Sequence, residues 1–207
     1  MWLLLSLLIL GFLITAGNVW RIRRRSIGGV KSRNKYFYRL AATLDFTAKG
    51  DEYLVQLEGN WKAHHVIVYP HNFEGPGSIT LIHMETNVPF QERTWLEPAL
   101  GLGRAIVEWK RGASFSYERS GTLPGAEQLQ EEVNAHRSRI PFIAITIPSR
   151  FLLSQLVTEA LRNSGNFVVV LALDAGRKPS TGQLTGALDV AAKLCQILEN
   201  ATATSGH

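Results

Sequence analysis

The alternation of apolar and polar positions changes rhythm several times along this chain. From Trp2 to Trp20 no charged residue interrupts a hydrophobic run, which only Ser6, Thr15, Asn18 and two glycines soften. As a helix these 19 residues extend roughly 28 Å, close to the hydrocarbon thickness of about 30 Å. Trp2 and Trp20 stand at the two ends, where amphipathic rings favour the headgroup layer. The pattern predicts a transmembrane helix over 1–20. A cleaved signal peptide with a small-residue site near Thr15-Ala16-Gly17 is the competing reading. It would carry its positive charge ahead of the apolar run, whereas here Arg21, Arg23, Arg24 and Arg25 follow it. Gly11 and Gly17 are close-approach points for a neighbouring helix, although their spacing is not that of a G-x-x-x-G motif.

A basic linker over 21–35, jointed at Ser26-Ile27-Gly28-Gly29-Val30, leads into a domain expected over 36–200. Phe37, Leu40, Ala41 and Leu44 follow helical spacing, with Lys35 and Arg39 on the other face. Strand-like runs then cover Tyr53–Glu58, Trp61–Tyr69 and Ser78–Asn87. Gly59-Asn60 signals a two-residue hairpin, and Pro70–Gly77 a longer loop. These predict an antiparallel meander.

Periodicity weakens in the middle. Trp95–Gly103 reads as an irregular apolar loop, and Ala105–Lys110 with Ala113–Glu118 as a hairpin about Arg111-Gly112. Pro124-Gly125 opens a helix to about Ser138 with Leu129 and Val133 inward. The last third is a helix–strand–helix layer framed by strands. Ile140–Ile147 suits a buried strand. Ser149 caps a helix carrying Leu152, Leu153, Leu156, Val157, Ala160 and Leu161, which Asn163-Ser164-Gly165 ends. Phe167–Leu173 is a second buried strand. A final helix sets Leu184, Ala187, Leu188, Ala191, Leu194, Cys195 and Leu198 on one stripe, and 201–207 form a flexible polar tail. The fold class is α+β.

Charge adds a second layer to this picture. Of the 22 Lys and Arg, eight lie between Arg21 and Arg39, leaving 14 against 17 Asp and Glu in the rest of the chain. A nucleic-acid binder carries its positive charge on the folded domain, so this distribution argues against nucleic acid and for a bilayer with anionic headgroups. The Lys/Arg-rich flank places the N-terminus outside and the domain in the cytoplasm, as in a bacterial inner or plasma membrane. Asn200-Ala201-Thr202 then matches a glycosylation sequon by chance. One cysteine excludes a disulfide framework and cysteine-based metal sites.

Candidate chemistry is thin. His64, His65, His71 and His83 fall close together, and pairing around the Pro70–Gly77 loop would set His83 opposite His64 or His65. Two histidines are too few for zinc, and Glu58, His71 and Glu85 lack ligand spacing, so no metal site is assigned. Asp174–Gly182 is the most site-like loop: it leaves a strand and enters a helix N-terminus, with Arg177, Lys178, Ser180 and Thr181 as anion-binding candidates. Helix capping by Ser180 or Thr181 behind Pro179 accounts for the same residue types. Gly101-Leu-Gly-Arg lacks the βαβ setting of a dinucleotide fingerprint, and Gly75-Pro-Gly-Ser78 lacks a Walker lysine. No G-x-S-x-G elbow occurs. His136 has no nucleophile fixed beside it, Cys195 sits on an apolar stripe, and Glu131-Glu132 point to different sides of a helix. Phe90, Trp95, Leu96, Pro98, Leu100 and Leu102 either complete the core or meet an apolar partner, and domain size favours the core.

No catalytic residue or cofactor is assigned. The chain reads as a non-enzymatic, single-pass accessory or assembly subunit alongside other membrane subunits. A membrane-anchored sensor of a small anion and a metal-dependent enzyme using His64, His65 and His83 are the alternatives.

Overall fold

The computed structural model describes residues 34–50, 55–73, 77–90, 94–147, 165–174 and 178–205. The expected transmembrane helix over 1–20, most of the basic linker and the helix expected after Ser149 lie outside these residues. Among the described residues no helix is long and apolar enough to cross a membrane.

Helix α1 covers residues 34–44. After it come β1 (Thr47–Gly50), β2 (Val55–Trp61), β3 (His64–Phe73), β4 (Gly77–Pro89) and β5 (Trp95–Pro98). Helix α2 (Leu102–Lys110), β6 (Tyr117–Ser120), α3 (Ala126–His136), β7 (Phe142–Thr146), β8 (Asn166–Leu173) and α4 (Thr181–Ser205) complete the order. The eight strands among the described residues form one sheet in the order β1-β2-β3-β4-β8-β7-β5-β6. Every pairing is antiparallel. The fold is α+β, built on an antiparallel sheet and closed by a long C-terminal helix.

The sheet is buried on both faces at its centre, which explains why β7 and β8 are unbroken apolar runs rather than alternating ones. On one face Val66, Val68, Ile82, Met84, Ile143, Ile145, Val169 and Leu171 meet Phe37, Leu40 and Ala41 of α1, Leu129 and Val133 of α3, and the stripe Leu184–Leu198 of α4. On the other, Ile67, Tyr69, Leu81, Phe142, Ala144, Val168 and Val170 pack with Leu102, Ala105 and Ile106 of α2. Burying each such Val, Leu or Ile contributes roughly 1.5–3 kcal/mol. Helices α1, α3 and α4 follow the sequence periodicity. Helix α4 runs on to Ser205, through most of the stretch expected as a polar tail.

Three expectations are corrected. The first hairpin turns at Lys62-Ala63, not at Gly59-Asn60: both turn residues have positive φ, at 48° and 69°, the geometry of a primed turn. Gly59 instead lies inside β2, opposite Val66, because the ring of Phe46 covers it. A Cβ there would lie 2.4 Å from Phe46 Cδ1. The β3–β4 strands also continue well into the segment expected as the Pro70–Gly77 loop.

The second correction concerns Ala105–Lys110, which is helix. Leu102, Ala105 and Ile106 are its buried positions, so the i, i+3, i+4 pattern starts ahead of the run expected as a strand. Trp95–Pro98, expected as loop, is a strand lying between β6 and β7.

The third is the histidine register. His83 faces Ile67 across β3 and β4, and His64 faces Trp61. Val66 opposes Met84, so His64 and His83 point to opposite faces of the sheet. They cannot share a ligand.

Candidate functional site

Strand β8 ends at Leu173 beside the turn that follows α3, and α4 begins a few residues later. Between them lies a cleft of about 350 Å³ walled by His136, Arg139, Ile140, Leu173, Asp174, Gly182, Gln183, Gly186, Ala187 and Val190. Its helical wall is low because two of its residues have no side chain. A Cβ added at Gly182 or Gly186 would meet nothing within 4 Å.

The start of α4 is a capping box. The Gln183 amide donates to Ser180 Oγ at 3.1 Å, and the Ser180 amide donates to Gln183 Oε1 at 2.8 Å. This reciprocal pair satisfies two amides at the helix entry. Ser180 is therefore a cap, and so is Gln183, whose spacing of three from Ser180 was the signal in the sequence. Thr181 opens the helix exposed, and Lys178 is exposed ahead of it. Arg177 lies outside the described residues. Among the described residues of the loop Asp174–Gly182, Asp174 and Gly182 reach the cleft wall.

Charges around the cleft are largely committed. Asp174 pairs with Lys110 at 2.9 Å. His136 Nε2 lies 2.9 Å from Glu132 Oε1, and Lys193 Nζ lies 2.6 Å from Glu132 Oε2. Burial opposes ionisation of Glu132, but the hydrogen bonds and charges of Lys193 and His136 outweigh it and hold the carboxyl below its ordinary range. Arg139 is exposed on the wall. Nothing in the sequence marked it, since it sits in a turn between two elements. Among the described residues the cleft wall thus brings together the Arg139 guanidinium, the His136 imidazole, the Asp174 carboxylate and the first turn of a helix beside the apolar Ile140, Leu173, Ala187 and Val190.

The other candidates resolve into structure. His65 Nε2 lies 3.3 Å from Glu58 Oε1, and its Nδ1 3.6 Å from Glu85 Oε2. Lys49 reaches Glu58 at 2.7 Å, and Asn166 donates to Glu85 at 3.2 Å. This polar row laces β1, β2, β3, β4 and β8. His64 turns to the opposite face, where its Nε2 lies 3.0 Å from Glu199 Oε1. Among the described residues no three His, Cys, Asp or Glu converge as a metal would need. Cys195 is buried on α4; burial and the neighbouring Glu199 push its thiol up, far from a reactive thiolate.

The apolar segment between β4 and α2 belongs to the core. Leu96 is 1% exposed, Pro98 and Leu102 are buried, and Phe90 packs edge-on against Phe167 with ring centroids 5.5 Å apart. Trp95 and Leu100 are half-buried. No protein-family model matches the chain, and no curated protein or solved structure shows significant similarity to it.

Proposed function

We propose that this chain is a single-pass membrane protein whose N-terminal helix anchors a cytoplasmic α+β domain. The domain works without catalysis, as an accessory or assembly subunit of a larger membrane complex. The uncharged run Trp2–Trp20 followed by Arg21, Arg23, Arg24 and Arg25 supports the anchor and its orientation.

One observation carries the structural role. Acid–base side chains that a catalyst would keep available are spent on joining α4 to the rest of the fold. Glu132 ties α3 to Lys193. Glu199 accepts from the Asn87 amide and side chain at 2.9 and 3.0 Å and meets His64. Asp189 accepts from Trp61 Nε1 at 3.1 Å and pairs with Lys62 at 2.8 Å. These cross-links produce a platform of fixed shape, a property a scaffold needs.

The test is the native mass of the protein extracted from its own membrane in a mild detergent, with co-migrating chains identified. Migration in a large assembly at fixed stoichiometry supports the subunit reading. A lone 23.0 kDa chain in its detergent belt overturns it.

The cleft at α4 favours a second reading, a membrane-anchored domain that senses a small anion. The bare helix wall at Gly182 and Gly186 beside Arg139 is the observation behind it. Inorganic phosphate should then raise the melting temperature of the full chain, and Arg139→Ala should erase that response. A melting temperature indifferent to phosphate removes this reading.

A further inference from the structure

We infer that the outer face of α1, together with Lys178, is a docking surface for an anionic bilayer. This rests on the membrane anchor proposed above. Helix α1 is two-sided: Phe37, Leu40 and Ala41 enter the core, while Lys35, Tyr38, Arg39 and Ala42 form an exposed stripe at i, i+3, i+4 and i+7. The helix carries no acidic residue; the chain's first is Asp45, just after it. Tyr38, 48% exposed, is the one large hydrophobic side chain left open to solvent among the described residues. An aromatic with a polar tip between two cations is the composition that headgroup layers favour.

A second segment adds to the same edge. The Tyr36 hydroxyl donates to the carbonyl of Pro179, so α1 is fastened to the strap before α4. Exposed Lys178 therefore stands beside the first turn of α1. Chain length brings the surface to the membrane. Residues 21–33 separate Trp20 from α1, and even fully extended they reach only about 45 Å. Six of these residues are Lys or Arg, the same sign of charge as the exposed stripe. Charge complementarity thus selects anionic headgroups as the occupant.

The test uses the full chain in lipid nanodiscs of pure phosphatidylcholine, or with about 30% phosphatidylglycerol, enough negative surface for polybasic attraction. A spin label is placed at Tyr38→Cys, with exposed Glu131→Cys on α3, outside the basic stripe, as the control. Buried Cys195 does not take the label. In anionic discs the label at 38 should lose accessibility to an aqueous nickel chelate several-fold relative to neutral discs, and the label at 131 should not change. Lys35→Glu with Arg39→Glu should erase the difference. Equal exposure in both discs overturns the proposal, as does a difference that survives the charge reversal. Equal burial in both discs with dimeric migration identifies a second copy instead and also overturns it. A chain that enters neither disc overturns the anchor, and this contact with it.

Discussion

Tyr69 and His83 stack across β3 and β4, with ring centroids 5.4 Å apart and the phenol oxygen 3.1 Å from the imidazole Nε2. His83 is 1% exposed, and its Nδ1 has no hydrogen-bond partner among the described residues. Burial therefore keeps this imidazole neutral, with its pKa pulled down from 6.5 to about 3. The unfolded chain binds the proton near pH 6.5 and the folded one does not, so acid favours unfolding. Full stability is present above pH 6.5 and declines as pH falls toward the folded pKa, approaching about 1.4 kcal/mol per pH unit. Urea unfolding of the full chain in detergent at pH 7 and pH 5 checks this. His83→Gln, which removes the titration, should lose about 2 kcal/mol less than the wild type between those two values. Equal losses would mean that His83 does not titrate differently on unfolding.

Gly59 and Phe46 form a second such pair. Because a Cβ at 59 would fall 2.4 Å from the Phe46 ring, Gly59→Ala forces the ring off its seat in the core. The expected destabilisation is about 1–3 kcal/mol, the usual cost of overpacking. Phe46→Ala removes the colliding ring atoms, so the double variant should lose less than the sum of the two single losses. Additive losses in thermal or urea unfolding would place the strain elsewhere.

The turn between β2 and β3 stores strain of a different kind. Lys62 and Ala63 both hold positive φ, a conformation that costs side-chain-bearing residues on the order of 1 kcal/mol each. Ala63→Gly should therefore raise the stability of the full chain by a few tenths to about 1 kcal/mol, the relief being partly offset by the freedom glycine gains when unfolded. A drop in melting temperature would contradict the turn geometry. Lys62 is the poorer target, since it also holds Asp189, whose carboxyl its hydrogen bond keeps below the ordinary range.

These pairs mark where the sequence is legible and where it is not. The stripe Leu184–Leu198 is readable because one helical period runs through it, and the strands around Ile143 and Val169 because each is an unbroken apolar run. The first hairpin misleads because Gly59-Asn60 has the composition of a turn. Its glycine answers to the distant Phe46 ring, which no local pattern encodes. The histidines mislead similarly: their nearness in sequence says little, and the β3–β4 register, which sets Val66 opposite Met84, sends His64 and His83 to opposite faces. In the cleft, Ser180 is legible as a cap. Arg139 is not, because it gains its meaning only when the turn after α3 meets α4.

That contrast separates two roles at one end of α4. Ser180 and Gln183 exchange hydrogen bonds, so Ser180→Ala should cost about 1 kcal/mol of stability, with Gln183→Ala costing less, through loss of the cap. Arg139 is exposed on the cleft wall, so Arg139→Ala should change stability by less than about 0.5 kcal/mol in the absence of any ligand. Gly186→Val tests the cavity itself: the side chain would enter open space at a position where its Cβ meets nothing within 4 Å. It should leave the fold intact while filling the cleft. If phosphate stabilises the wild type, both Arg139→Ala and Gly186→Val should abolish the effect, whereas Ser180→Ala lowers the melting temperature with and without phosphate alike. A phosphate response that survives Gly186→Val would place the anion outside this cleft, however strongly the helix terminus attracts negative charge.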